Sequence, residues 1–109
     1  PEISGNKWRR LKYNIEAANG LPILTFGGAF SNHIAATASA CNRLGIKSIG
    51  IIRGELIIPL NNTLQQAKDC GMLLHSVSRN EYRLKNSKEF YIILKKRFNN
   101  FYLVPEGGA

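Results

Sequence analysis

Four times along 109 residues, a stretch whose apolar side chains recur at helical spacing gives way to a short apolar run. This alternation constrains the fold more than any other feature. Lys7 to Asn19 suits a helix, with Trp8, Leu11, Ile15 and Ala18 on one face and Gly20 as its stop. Leu21 to Phe26 is apolar, partly β-branched and bounded by glycines, which predicts a buried strand. Ser31-Asn32 offers an N-cap for a helix reaching about Leu44, ended by Gly45. Ile46 to Ile52 reads as the second strand. Asn61 or Asn62 caps a helix to Cys70, Gly71 ends it, and Met72 to Val77 is the third strand. A helix over Asn86 to Phe98 and a strand over Phe101 to Val104 complete the series.

Such alternation with short connections predicts an α/β fold in three layers, helix–parallel sheet–helix, with about four parallel strands and right-handed crossovers. The length suits one small domain with a single core. The longest irregular connection, Arg53 to Pro59, carries Leu56-Ile57-Ile58, which are expected to lie over another surface.

Composition narrows the function. No segment approaches the run of about 20 apolar residues that a membrane helix needs. The start, Pro1-Glu2-Ile3-Ser4-Gly5, lacks the basic-then-apolar pattern of a secretory signal. The abrupt Pro1 and the loop-like Gly107-Gly108-Ala109 suggest a piece of a longer protein. Cys41 and Cys70 sit on separate expected helices, outside any Cys-x-x-Cys pair or metal-ligand cluster. Two free, buried thiols in a reducing cytoplasm are the simplest expectation. The net charge of +8, from 15 Lys and Arg against 7 Asp and Glu, invites a nucleic-acid reading. The basic residues divide, however, between Lys7, Arg9, Arg10 and Lys12 and the group Lys85, Lys88, Lys95, Lys96 and Arg97, which falls on an expected solvent-facing helix. The aromatics Trp8, Phe30, Tyr82, Tyr91, Phe98, Phe101 and Tyr102 fall at core spacings. A solvated face is the simpler reading. A basic nucleic-acid-binding or structural interaction domain stays as the alternative.

In a parallel sheet, ligands bind where strand ends lead into helix starts. The loop Thr25 to His33 is at such a place. Gly27 and Gly28 let the backbone turn and approach a ligand closely. The helix that follows offers free N–H groups and the positive end of its dipole to an anion. The loop matches neither the dinucleotide fingerprint nor the P-loop, and alone it reads as a turn with an N-cap. Lys7 stands in a helical first turn, where the dipole disfavours an ammonium charge. That placement helps an amine that must be neutral enough to form an imine. A lone lysine there reads more simply as a solvated side chain.

Taken together, Ser4-Gly5-Asn6-Lys7-Trp8-Arg9-Arg10-Leu11-Lys12-Tyr13, then Gly27-Gly28-Ala29-Phe30-Ser31-Asn32-His33, then Val104-Pro105-Glu106-Gly107-Gly108 resemble the 1-aminocyclopropane-1-carboxylate deaminase and D-cysteine desulfhydrase family. These are fold type II pyridoxal-phosphate enzymes. The resemblance covers essentially the whole chain, in order.

It implies a role position by position. Lys7 matches the lysine that forms an imine with pyridoxal 5′-phosphate and later moves protons. Ser31 matches a serine near the substrate carboxylate or the reacting carbon. Asn32 matches the asparagine that hydrogen-bonds the cofactor's 3′-oxygen, and Gly27 and Gly28 belong to the same cofactor-side loop. His33 is expected to pack against this loop, and His75 to be a core or surface histidine. The family's phosphate loop and the group facing the pyridine nitrogen come later than these residues. The implied protein has two domains, about three times this length, with the site between them, and forms a homodimer. Its substrate is a small amino acid, converted to a 2-oxo acid and ammonia. Deaminase and desulfhydrase activities are not separated by the residues present.

Overall fold

The computed structural model describes residues 5–105, excepting the side chains of residues 5–8 and 10. Within them, side-chain caps start four of the helices. Ser31 precedes α2 (Asn32–Arg43) and Asn61 precedes α3 (Asn62–Asp69), each accepting from a first-turn amide. Ser78 opens α4 (Arg79–Arg83) and Ser87 opens α5 (Lys88–Phe98) in the same way. Each cap satisfies an amide that the helix itself cannot pair. The first helix, α1, spans Gly5–Ala17.

Four strands alternate with these helices: β1 (Ile23–Gly27), β2 (Ser48–Arg53), β3 (Leu73–Val77) and β4 (Tyr102–Leu103). All are parallel, in the order β3-β2-β1-β4. The register places Ile23 beside Ser48 and Tyr102, and Ile49 beside Leu73. The expected layers are therefore present. Leu24, Phe26, Ile49 and Ile51 point to one face and pack with Tyr82, Phe90 and Leu94 from α4 and α5. On the other face Ile23 packs with Leu11, Ile15 and Cys41, and Ile52 with Ile34, Ala38 and Leu64. Aromatic rings reinforce the first face, where Tyr82 meets Phe26 edge-on at 6.1 Å.

The differences from expectation have local causes. β1 starts at Ile23, not Leu21, because Pro22 has no N–H for the ladder and Leu21 is half-exposed. The stretch before α5 holds an unforeseen helix, α4, of 5 residues. Such a helix is too short to show periodicity, but its capping box, Ser78 with Glu81, was visible in the sequence. Ser87 rather than Asn86 marks the start of α5. Of the α2 alanines, Ala38 and Ala40 are buried, while Ala35 and Ala36 are only half-buried. Phe30 is 77 % exposed and Tyr91 is also exposed, so neither is a core residue. Cys41 is buried and Cys70 half-buried, and both are free. Leu56 packs under α3, whereas Ile57 and Ile58 remain exposed. Lys96 and Arg97 of α5 face solvent, and Lys95 lies against the ring of Phe101 at 4.7 Å. Among the described residues no helix is long and apolar enough to cross a membrane.

Candidate active site

The strand order reverses between β1 and β4, since β2 and β3 lie to one side of β1 and β4 to the other. The carboxyl ends of these two strands are where an open parallel sheet presents its ligand crevice. The loop from Gly27 to Ser31 leaves β1 at this edge. It closes through a turn in which the Ser31 N–H donates to the Gly28 carbonyl at 3.1 Å.

Gly27 is needed for close approach. A Cβ there would stand 2.5 Å from Cγ1 of Ile34 and 2.9 Å from Oγ of Ser31. With no side chain at 27, the first turn of α2 presses directly onto the end of β1. Ser31 caps that turn, its Oγ accepting from the Ile34 N–H at 3.4 Å, a length at the weak end of the range. The hydroxyl is therefore only loosely committed to capping. Asn32, the first residue of α2, is exposed. Around it the helix start brings a cluster of donors: first-turn amides and a carboxamide, on the positive end of a 12-residue helix.

His33 receives a definite partner. Its Nε2 lies 2.8 Å from Oγ1 of Thr25, and that hydroxyl donates to the Val104 carbonyl at 2.7 Å. Thr25 has one proton, committed to Val104, so Nε2 of His33 is the donor to Oγ1. The expected packing of His33 against the loop is thus a hydrogen-bond chain from α2 through β1 to the exit of β4. A second tie holds the loop from outside. Asn61 caps α3 with Oδ1 and donates from Nδ2 to the Ala29 carbonyl at 2.9 Å.

Lys7 is the third residue of α1. α1 precedes β1 in the chain and packs Leu11 and Ile15 against Ile23 and Val104. The side chain of Lys7 lies outside the described atoms, and so does the expectation that Lys7 and Asn32 reach one cofactor. Glu106, Gly107 and Gly108 also lie outside the described residues. His75 is not at this edge cluster: it is half-buried on β3, edge-on to Phe98 at 5.5 Å. Its pKa is lowered, first by burial and then by Arg97, with Glu81 opposing.

Sequence reasoning overlooked Thr25, Arg53 and the second role of Asn61. Asn61 had a signal, being a helix cap. Thr25 is a polar residue inside an apolar strand, and such a residue must find a partner. Arg53 is a charge at the carboxyl end of a strand.

The comparisons with known proteins follow this geometry. No family model matches the chain. A mitochondrial bifunctional D-cysteine desulfhydrase/1-aminocyclopropane-1-carboxylate deaminase of Arabidopsis thaliana is 31 % identical over 120 residues, covering 99 % of this chain and 30 % of the relative. A Thermotoga maritima protein, named provisionally as a 1-aminocyclopropane-1-carboxylate deaminase, is 34 % identical, covering 97 % of this chain and 35 % of its own length. A crystal structure of an ACC deaminase homologue superposes with a TM-score of 0.72 at 28 % identity, covering 96 % of this chain and 33 % of that one. The chain spans about a third of the length of the curated relatives it matches. By sequence and by fold, this chain is similar to about a third of the length of proteins named as 1-aminocyclopropane-1-carboxylate deaminase or D-cysteine desulfhydrase.

Proposed function

We propose that the chain is one α/β domain of a longer, two-domain pyridoxal-phosphate enzyme that deaminates 1-aminocyclopropane-1-carboxylate or releases sulfide and ammonia from D-cysteine. What supports the reading most is the donor set at the start of α2, Ser31, Asn32 and the first-turn amides, at the edge where the strand order reverses. That set suits an anionic, oxygen-rich ring such as pyridoxal phosphate. When bound, the cofactor supplies an electron sink for bonds broken at the substrate's Cα.

The chain's own residues do the rest. Lys7, in the first turn of α1, is where the helix dipole favours the neutral amine, so its Nζ would be the group that holds the cofactor and carries a proton. Asn32 would donate from its carboxamide to the cofactor's 3′-oxygen. Ser31, loosely held as a cap, offers Oγ to the substrate carboxylate or the reacting carbon. Gly27 and Gly28 keep side chains out of the ring's way. The His33–Thr25–Val104 chain holds Asn32's turn against β4.

The test is chemical trapping. A protein of full family length carrying this sequence is reduced with borohydride in the presence of pyridoxal phosphate, digested and mapped. The label is expected on Lys7. A label on another lysine, with Lys7 unmodified, overturns the assignment.

A further inference from the structure

Arg53 is the last residue of β2, one step beyond the pair Gly27–Ile52 and so beside Gly28. Its guanidinium lies across the bare Gly28 backbone, so a Cβ on Gly28 would come within 3.3 Å of a terminal guanidinium nitrogen. The ring of Tyr82 lies 5.7 Å from the guanidinium carbon, and Lys85 brings a second cation to 4.7 Å from the same ring. Arg53 is exposed, and no carboxylate pairs with it among the described residues.

An arginine packed on an aromatic ring keeps its fork in a fixed plane with donors turned outward. An exposed guanidinium with no carboxylate on it among the described residues has its donors open to an anion at this edge.

We propose that Arg53, steadied by Tyr82 and Gly28, binds an oxyanion at the carboxyl edge of the sheet. The ligand class is a carboxylate or a phosphate, held in bidentate fashion by the guanidinium. The proposal deepens the enzyme reading and rests on it for the ligand's identity: a carboxylate points to the amino-acid substrate, a phosphate to the cofactor. The binding itself is a property of this chain. Gly28 takes on a second role here, because its missing side chain is what lets the guanidinium reach the loop.

The experiment is an NMR titration of this chain with acetate and, separately, with inorganic phosphate. The Gly28 amide and the Arg53 side-chain Nε–H are followed. Saturable shifts at both are expected, and the tighter of the two anions identifies the source. Arg53→Gln should weaken binding by about tenfold, as loss of a charge-assisted contact does. Lys68→Gln, on the exposed far end of α3, removes the same net charge and should leave the affinity within about twofold, because screening confines charge effects to roughly 10 Å. Gly28→Ala changes no charge and should also weaken binding, by displacing the guanidinium. Equal losses in Arg53→Gln and Lys68→Gln would reduce the effect to net charge and overturn the site. So would unsaturable shifts, or an unchanged affinity in Arg53→Gln. Failure of borohydride labelling at Lys7 with anion binding intact would sink the enzyme reading alone.

Discussion

Thr25 on β1 donates its hydroxyl to the carbonyl of Val104, at the exit of β4 and 79 residues later in the chain, across 2.7 Å. The same oxygen accepts from His33. Thr25 is fully buried, and its one hydroxyl makes both bonds. Thr25→Val keeps the shape and removes both bonds. It should cost about 1–3 kcal/mol, the penalty of taking the donor away from the buried Val104 carbonyl. Thr25→Ser should recover most of that. Urea denaturation of the two variants measures it, and equal midpoints for Val and the parent would show that the chain of bonds contributes nothing.

Gly27→Ala should be worse than its size suggests. The new methyl meets Ile34 at 2.5 Å and Ser31 at 2.9 Å, and Ile34 is fully buried, so α2 must move away from β1. A loss of about 1–3 kcal/mol is expected, as for other overpacked sites. Amide shifts at Ser31 and Asn32 should change with it. Gly28→Ala meets only the far end of the Arg53 side chain, at 3.3 Å, and should cost less in stability.

Cys41 and Cys70 should separate by reactivity. Burial pushes the Cys41 thiol from 9.0 up to about 12, and a protonated, buried thiol is a poor nucleophile. A disulfide reagent should label Cys70 first and reach Cys41 only on unfolding. The sign for stability follows. The folded state holds the proton more tightly than the unfolded chain, so Cys41's contribution is complete below about pH 9 and fades as pH rises from there toward about 12. The stability difference between the parent and Cys41→Ala, followed by urea titration, should therefore shrink above pH 9.

Lys7→Ala should abolish turnover of the full-length enzyme and leave the fold intact, because a lysine in a helical first turn opposes the dipole. Lys7→Arg should fail equally, since a guanidinium keeps its proton and forms no imine. Absorbance of the bound cofactor and circular dichroism are the paired readouts. Residual turnover above about a hundredth of the parent in either variant would contradict the assigned role.

What the sequence determined by itself is local. Helical spacing, caps at Ser31 and Asn61, glycine stops and short apolar runs place eight of the nine elements among the described residues to within about two residues. Those signals work because each depends on contacts a few residues apart. The match of motifs to a known family belongs to the same level, as does the expectation that the loop after β1 faces a ligand.

Tertiary structure decided the rest. Nothing near Thr25 says that its partner is Val104, because parallel pairing brings together residues from distant parts of the chain. The order β3-β2-β1-β4, and with it the reversal between β1 and β4, is a property of packing on both faces rather than of any one segment. Arg53 is an ordinary strand-end charge in the sequence. Only the register that sets it beside Gly28, and the fold of α4 that brings Tyr82 under it, make it a candidate anion site. Phe30 read as a core residue because an apolar side chain carries no mark of which way it faces. The tight turn from Gly28 to Ser31 turns it outward to solvent.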